Sequence, residues 1–273
     1  MIVRPRRLVL LGHPVGHSLS PIFQNAALRH AGIPLVYEAL DIAVPDLAHA
    51  VGLLAEDAAA GNVTVPHKES MVAICAERTP LAERAGAVNT FWTDESGGII
   101  GDNTDVGGFD ALVRETLGAL PKGRIALLGA GGAAAGVLAA VEQWSGCEVT
   151  LYNRTTTRLA RLAARFPVVT RTVDDPAAAV RDAQVVVNAT TAGLEDDLLP
   201  VPIEALPFDC AVIDLVYRVG GTPWVRAAAR CGHRAGDGLP MLIEQGALAF
   251  ERWFGIPAPR DVMWDSVTMA PDA

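Results

Sequence analysis

The sequence predicts an α/β protein with two domains, of which the second is Rossmann-type, and a cleft between them. Three observations support this fold. Short apolar strands alternate with helical segments, a glycine-rich turn joins one such strand to a helix, and 273 residues are enough for two modest domains. Alternating strands and helices are typical of a parallel sheet with helices on both faces.

The elements follow from short apolar runs, which indicate buried strands, and from longer amphipathic segments, which indicate helices. The first domain is predicted to contain a strand at Leu8–Leu11, a helix from Pro21 to about Ala31, and strands at Val36–Leu40 and Asn62–Val65. The second is predicted to contain strand Ile125–Leu128, turn Gly129–Gly132, helix Ala133–Trp144, strand Glu148–Tyr152, helix Thr155–Phe166, and strands Val185–Asn188 and Ala211–Val216.

The domain boundaries are predicted from where these patterns change. A final helix at about Met241–Phe254 follows the Rossmann-type segment, and we expect it to pack back on the first domain. The first domain is therefore predicted to comprise residues 1–104 plus 239–273, and the second 105–238.

Composition excludes several classes of partner. The net charge of -9 argues against binding to nucleic acid or to anionic membranes. The first apolar run ends too early for a signal peptide, and the uncharged stretch Ile125–Val141 is too short and glycine-rich to span a membrane. The four cysteines form no CxxC or CxxH pair, so we expect reduced thiols in a cytoplasmic protein and no metal site.

The glycine turn carries a variant of the dinucleotide-binding fingerprint, GxGxxA, from Gly129 to Ala134. In such a motif Gly129 permits the tight turn and Gly131 lets the backbone approach a pyrophosphate at the helix N-terminus. Glycine turns also join strands to helices for structural reasons alone. Here the motif follows a predicted strand and opens a predicted helix, which favours a bound dinucleotide.

The end of the next predicted strand indicates which dinucleotide is bound. An NAD site expects an acidic residue there for the ribose 2′-hydroxyl, whereas this chain has Asn153, Arg154 and Thr155, with Arg158 one turn later. Guanidinium groups suit a 2′-phosphate, so these residues favour NADP. The alternative is that both arginines are solvated side chains on a helix surface.

Two serines precede the first predicted helix. Ser20 occupies the expected N-cap position, and Pro21 the first helical position. Ser18 and Ser20 lie two residues apart beside a helix N-terminus, where two hydroxyls could bind a carboxylate. The alternative is that Ser20 only caps the helix.

A second polar cluster includes Asn62, Thr64 and Lys68. Asn62 and Thr64 share one face of a strand, and Lys68 follows it. Of the 22 basic residues only two, Lys68 and Lys122, are lysines. A lysine can exchange its proton near neutral pH when its surroundings are suitable and an arginine cannot, so Lys68 is a candidate for proton transfer. Chance placement is the alternative.

Two further segments, Gly86–Thr90 and Gly101–Asp105, supply Asn89 and Asp105. Each segment alone is an ordinary turn, but together they offer an amide and a carboxylate suited to hydroxyl groups on a ring. His17 and His67 are weaker candidates for acid–base chemistry, because neither has an evident orienting partner in the sequence.

Taken in order, these motifs resemble the shikimate dehydrogenase family over nearly the whole chain. The matching segments are Gly12–Pro14, His17–Pro21, Asn62–Lys68, Gly86–Thr90, Gly101–Asp105, Gly129–Ala133, Asn153–Thr155, Asn188–Thr190 and Gly238–Gln245. The resemblance implies a reversible, NADPH-dependent reduction of 3-dehydroshikimate to shikimate in aromatic amino-acid biosynthesis, by a monomer or homodimer. It also implies that the first domain binds the substrate and the Rossmann-type domain binds NADP.

The resemblance assigns a role to each candidate residue. Lys68 and Asp105 would form the catalytic pair. The substrate would be bound by Ser18, Ser20, Asn62, Thr64, Asn89, Tyr217 and Gln245. The cofactor would be bound by Gly129, Ala130, Gly131, Gly132, Ala133, Asn153, Arg154, Thr155, Arg158 and Thr190, with Leu215, Gly238 and Met241 near the nicotinamide.

Three positions depart from the commonest family pattern, namely His67, Val219 and Pro240. None of them removes a proposed chemical group. Two alternatives remain open: an enzyme of the same fold with broader specificity that acts on quinate with NAD, and a catalytically silent paralogue that binds a metabolite.

Overall fold

The computed structural model describes residues 4–218 and 220–269, which form two compact α/β units. The first unit comprises the chain up to Gly107 and from Leu242 onwards, and the second is Gly108–Met241. The domains were predicted as 1–104 with 239–273 and as 105–238. Val219 and the chain ends lie outside the described residues. No helix of the described part combines the length and apolar character that crossing a bilayer requires.

The first unit contains a six-stranded sheet in the order β2-β1-β3-β5-β6-β4. Its strands are β1 (Arg7–Gly12), β2 (Tyr37–Asp41), β3 (Ala59–Val63), β4 (Glu77–Arg78), β5 (Thr90–Thr93) and β6 (Ile99–Asp102). Its helices are α1 (Ser20–His30), α2 (Leu47–Glu56), α3 (Lys68–Ile74), α4 (Pro80–Ala85) and α5 (Asp105–Leu117), the last of which continues into the second unit.

This sheet is mixed, whereas strand–helix alternation predicted a parallel one. β5 pairs antiparallel with both β3 and β6. The pairing of β5 with β6 follows from a tight turn in which the Asp94 carboxylate accepts hydrogen bonds from the backbone N–H groups of Ser96 and Gly98, at 2.8 Å each. A side chain that bonds its own turn in this way closes a hairpin without an intervening helix.

The second unit contains a wholly parallel sheet in the order β12-β11-β10-β7-β8-β9, which is the Rossmann order. Its strands are β7 (Gly123–Leu128), β8 (Cys147–Tyr152), β9 (Thr170–Thr172), β10 (Val185–Asn188), β11 (Ala211–Asp214) and β12 (Ala235–Gly236). Its helices are α6 (Gly132–Val141), α7 (Thr156–Arg165), α8 (Pro176–Val180) and α9 (Pro223–Arg230). The predicted Rossmann-type fold is therefore confirmed.

The chain ends with α10 (Leu239–Phe254) and α11 (Arg260–Thr268). From Leu242 onwards α10 belongs to the first unit, so the prediction that the last long helix packs back on the first domain is confirmed. Gln24 Nε2 donates to the carbonyl of Gly246 at 2.9 Å, and Trp253 Nε1 donates to Thr90 Oγ1 at 3.2 Å. These contacts attach α10 to helix α1 and strand β5.

The prediction that Ser20 caps α1 is wrong by one position. Ser20 is the first helical residue and Leu19 stands at the N-cap without a side-chain cap bond. The reason is local: Leu19 takes helical backbone angles, and Ser18 Oγ accepts the hydrogen bond from the Ser20 N–H at 3.2 Å. Ser18 thus satisfies a backbone donor at the helix start.

The close approach of β1 and β3 gives a stability prediction. A Cβ added to Gly61 would overlap the Val9 carbonyl in the centre of the first sheet, whereas Gly52 on α2 has open space around it. We expect Gly61→Ala to lower the free energy of unfolding by about 1–3 kcal/mol. Gly52→Ala, the matched control, should raise it by about 0.4–1 kcal/mol. Urea denaturation followed by circular dichroism measures both changes, and equal effects would contradict the packing argument.

Candidate functional site

Lys68 and Asp105 form a buried ion pair in the first unit. Lys68 Nζ lies 2.6 Å from Asp105 Oδ2, and their side chains are only 14% and 3% exposed. Lys68 is the first residue of α3 and Asp105 the first residue of α5. Each charged group therefore belongs to the first residue of a helix. The fold brings together the two residues that were predicted to form the catalytic pair.

The Asn89 side chain holds Asp105 from the other side. Asn89 Nδ2 donates to Asp105 Oδ1 at 2.8 Å and to Gln245 Oε1 at 3.2 Å. Asn89 Oδ1 accepts from the Thr104 N–H at 2.7 Å. An ionised carboxylate only accepts hydrogen bonds, so Asp105 requires the amide nitrogen on its side. The Asn89 side-chain amide thereby links two other proposed site residues, Asp105 and Gln245.

The loop before Asp105 is fixed by its own side chains. Asn103 Oδ1 accepts from the Asp105 N–H at 3.1 Å, and Asn103 Nδ2 donates to the Ala87 carbonyl at 2.8 Å. Asp102 accepts from the Asn103 N–H at 2.8 Å. Only Asp105 of this segment was predicted to belong to the site. The signal for the others was present, since Asp and Asn side chains commonly bond the backbone one or two residues on.

Asn62 bonds protein groups at both ends of its side chain. Tyr37 Oη donates to Asn62 Oδ1 at 2.8 Å, and Asn62 Nδ2 donates to the Asn89 carbonyl at 3.2 Å. Burial raises the pKa of the Tyr37 phenol well above its usual value, so this hydroxyl stays a donor. Asn62 therefore helps to fix the Asn89 backbone. A direct contact between Asn62 and the substrate remains a prediction.

Thr64 follows β3, and Ser18 and Ser20 stand at the start of α1. Thr64 immediately follows β3, and its carbonyl accepts from the His67 N–H at 2.9 Å, which begins the turn into α3. Ser18 and Ser20 are bonded to each other through the Ser18 hydroxyl oxygen. A hydroxyl has one proton and two lone pairs, so Ser18 keeps its proton for an anion while it accepts from Ser20.

The histidines do not join this group. His67 is fully buried, and its Nε2 lies 2.7 Å from the Ile42 carbonyl, so Nε2 carries the proton in this contact. His17 is exposed in the loop before α1. His13 forms an exposed pair with Asp41, with 2.5 Å between Nδ1 and Oδ1. Within residues 4–218 and 220–269, no His, Cys, Asp and Glu side chains are grouped in threes that could hold a metal ion.

The glycine turn of the second unit fits a pyrophosphate. Gly129 has φ +120°, and an added Cβ would lie 2.6 Å from the Ala189 carbonyl oxygen. Gly131 has open space where a Cβ would stand, and it is the N-cap of α6. Gly132 and Ala133 open that helix, and Ala130 lies in the turn. The chain thus offers a glycine-lined cradle beside a helix N-terminus, where phosphate is favoured.

A surface pocket of about 450 Å³ adjoins the end of β8. It is lined by Tyr152, Asn153, Arg154, Thr156, Leu159, Thr172, Val173 and Asp174. Asn153 Nδ2 donates to the Thr155 carbonyl at 2.9 Å, which shapes the turn between β8 and α7. Arg154 lines the pocket, whereas Arg158 is an exposed residue of α7 outside its lining.

A hydrogen-bonded network joins β10 and β11 at their carboxyl ends. Asn188 Oδ1 accepts from the Thr190 hydroxyl at 2.6 Å, and Asn188 Nδ2 donates to Asp214 Oδ1 at 2.8 Å. Asp214 Oδ2 accepts from the Thr222 hydroxyl at 2.8 Å. Burial raises the pKa of the Asp214 carboxyl to about 6, although hydrogen bonds from Thr222, Val216 and Asn188 oppose this. Thr190 was predicted from the sequence, whereas Asp214 was not.

The remaining proposed residues, Leu215, Tyr217, Gly238 and Met241, belong to the second unit. Leu215 and Tyr217 follow β11 directly. A Cβ on Gly238 would overlap the Leu215 carbonyl, and the Gly238 N–H donates to the Val216 carbonyl at 3.0 Å. Met241 is a buried residue in the first turn of α10. Gly238 is therefore required as glycine by the close approach of the Leu215 backbone.

Family models match three parts of the chain. Residues 10–91 match the shikimate dehydrogenase substrate binding domain, 111–195 match shikimate / quinate 5-dehydrogenase, and 238–268 match the shikimate 5′-dehydrogenase C-terminal domain. These matches cover both units that the structure separates.

Relatives match over almost the full length. A shikimate dehydrogenase (NADP(+)) of Methylobacterium radiotolerans is 41% identical over 95% of both chains. One from Thermus thermophilus is 42% identical over 92% of this chain and 93% of its own. A crystal structure of Thermus thermophilus shikimate 5-dehydrogenase with NADP(H) and shikimate superposes with a TM-score of 0.87, at 39% identity over 97% of this chain and 99% of that one. The chain belongs to the shikimate dehydrogenase family.

Proposed function

We propose that this chain catalyses the reversible, NADPH-dependent reduction of 3-dehydroshikimate to shikimate, a step of aromatic amino-acid biosynthesis. The observation that carries the proposal is the buried pair of Lys68 and Asp105, joined through Asn89 to Gln245. A glycine cradle for a pyrophosphate in the same chain and the named relatives support it. A spectrophotometric assay of NADP reduction in the presence of shikimate tests it.

Lys68 is the proposed proton donor. NADPH, when bound, supplies the hydride that reduces the ketone. Negative charge then builds on the ketone oxygen, and the Lys68 ammonium donates a proton to it. Asp105 orients and charge-balances Lys68 through the 2.6 Å contact. In the oxidative direction, neutral Lys68 accepts the hydroxyl proton.

The polar residues of the first unit are proposed to hold the substrate. Ser18 and Ser20 bind its carboxylate beside the start of α1, where the helix dipole favours negative charge. The ring hydroxyls are bound by Thr64, Asn89 and Gln245. Asn62 contributes through its bond to the Asn89 backbone. Tyr217, which follows β11, assists with the carboxylate.

The second unit is proposed to hold the cofactor. The glycine turn Gly129–Ala133 receives the pyrophosphate. Asn153, Arg154, Thr155 and Arg158 hold the adenosine and its phosphates, and the two arginines bind the 2′-phosphate. Thr190, just after the carboxyl end of β10, also contacts the cofactor. Leu215, Gly238 and Met241 contact the nicotinamide. Arg154 has the stronger support of the two arginines, because it lines the pocket beside β8.

Two alternatives make different predictions in one assay. Steady-state rates measured with shikimate and with quinate, each with NADP and with NAD, distinguish a shikimate enzyme from a quinate enzyme of broader specificity. The turn Asn153–Thr155 has no acidic residue for a ribose 2′-hydroxyl, which favours NADP over NAD. The intact Lys68–Asp105 pair favours an active enzyme over a silent metabolite-binding paralogue.

Location and assembly complete the proposal. We propose a cytoplasmic location, because the four cysteines Cys75, Cys147, Cys210 and Cys231 are free thiols, as expected in a reducing compartment. We also propose a monomer or a homodimer, which sedimentation at several concentrations measures.

Cofactor choice is tested at the turn after β8. Arg154→Ala combined with Arg158→Ala should raise the NADP Michaelis constant far more than it alters NAD-supported turnover, because only NADP carries the 2′-phosphate. Arg165→Ala, at the end of the same helix α7, is the matched control and should leave both cofactors unaffected. Equal loss with NADP and NAD in the double variant would show that these arginines are structural.

Carboxylate binding is tested at the two serines. Ser18→Ala and Ser20→Ala should each remove one charge-assisted hydrogen bond, roughly 1.5–3 kcal/mol of substrate binding. The shikimate Michaelis constant should therefore rise about tenfold or more. Steady-state kinetics in the oxidative direction measures it, and an unchanged constant in both variants rules out the assignment.

Proton transfer is tested at Lys68. Lys68→Arg keeps the charge but cannot exchange a proton near neutral pH, so it should bind shikimate nearly normally and lose at least about 10²-fold in turnover. Lys68→Ala should be as slow, while Lys122→Arg, at the only other lysine, should be unaffected. If Lys68→Arg retains most of its turnover, Lys68 serves binding alone.

A further inference from the structure

Arg252 lies on the same face of α10 as Gln245, two turns later in the helix. Residues seven positions apart are aligned along a helix, so one face of α10 carries both side chains. Gln245 contacts Asn89, which holds Asp105. Arg252 contacts Asp102, three residues before Asp105. Helix α10 is thus attached at one point to the segment that supplies Asn89 and at a second point to the segment that supplies Asp105, and the proposed function uses only the first contact.

Asp102 is a buried carboxylate that collects several donors. Its side chain is 1% exposed, whereas that of Arg252, its ionic partner, is 55% exposed. Asp102 Oδ2 accepts from Arg252 Nε at 2.9 Å, and Oδ1 accepts from the Asn103 N–H and the Thr79 hydroxyl. The Asp102 carbonyl accepts from the Asn89 N–H at 3.1 Å. Asp102 therefore connects Arg252 with both segments that supply Asn89 and Asp105.

We propose that Arg252 is a positioning residue for substrate binding, whose ion pair with Asp102 fixes α10 so that Gln245 stays in contact with Asn89. This inference rests on the proposed function, in which Gln245 and Asn89 hold ring hydroxyls. Arg252 touches neither substrate nor cofactor in this account and acts through Asp102 and Gln245.

The geometry makes Gln245 sensitive to a small shift of α10. The Asn89 Nδ2–Gln245 Oε1 distance of 3.2 Å is at the long end of the hydrogen-bond range, so a displacement of a few tenths of an ångström weakens it. Gln24 and Trp253 keep α10 attached to α1 and β5 without Arg252. Loss of Arg252 should therefore move the helix slightly and leave it folded in place.

The test is a double-mutant cycle on the full-length protein. Arg252→Met should raise the Michaelis constant for shikimate about tenfold, the effect of one hydrogen bond, with a smaller change in turnover. In a Gln245→Ala background the same substitution should change the constant little, because the contact it acts through is already gone. A purely structural role for Arg252 predicts equal fold-changes in both backgrounds.

Arg260→Met is the matched control for loss of an ion pair on α10. Arg260 binds Glu244 and Glu251, which lie on the neighbouring face of that helix. This control should lower the melting temperature without raising the shikimate Michaelis constant.

Three results overturn the inference: an unchanged constant in Arg252→Met, an equal rise in the Gln245→Ala background, or an equal rise in Arg260→Met. A parent protein that does not oxidise shikimate contradicts the proposed function itself and is seen before any variant is made.

Discussion

The buried ion pair between Lys68 and Asp105 is the constraint on which the first unit depends. Removing two charges from water is costly, and the cost is offset only when the pair and its remaining hydrogen-bonding groups are satisfied. Asn89 satisfies the second carboxylate oxygen at 2.8 Å, and the Asn103 side chain holds the Asp105 backbone. Helices α3 and α5 both begin at this pair. The segments Gly86–Thr90 and Gly101–Asp105, which are separate in the sequence, therefore form one hydrogen-bonded network that holds the partner of Lys68.

The second unit contains a comparable hydrogen-bonded network, in which the donors to the central carboxylate are uncharged groups. Asp214, at the end of β11, accepts hydrogen bonds from Asn188 and Thr222, and Asn188 in turn fixes Thr190. The result is a hydrogen-bonded edge at the carboxyl ends of parallel strands, where Rossmann-type folds bind dinucleotides. In both units buried polar side chains shape the loops, and the sheet only determines where those loops stand.

The sequence was most informative where a local rule determines the outcome. Strand Val185–Asn188 was predicted with its observed bounds, and the glycine turn with the strand–helix units around it predicted a Rossmann-type domain, which the observed strand order confirms. Lys68 stood out because lysine is rare in this chain. Arg252 and Asp102 were missed because they are 150 positions apart and meet only after α10 returns to the first unit. The start of α1 was misplaced by one residue and the Asp94 turn was not predicted, because side-chain bonds to nearby backbone groups determine both.

The lysine content also allows a direct test of the central claim that Asp105 holds the Lys68 ammonium. In protein labelled with ¹⁵N-lysine and carrying Lys122→Arg, Lys68 is the only source of a side-chain ammonium signal. We expect an Nζ resonance that is protected from rapid exchange with water and that moves markedly in Asp105→Asn. A resonance that exchanges like that of an exposed lysine, and is unchanged in Asp105→Asn, would contradict the ion pair and the mechanism built on it.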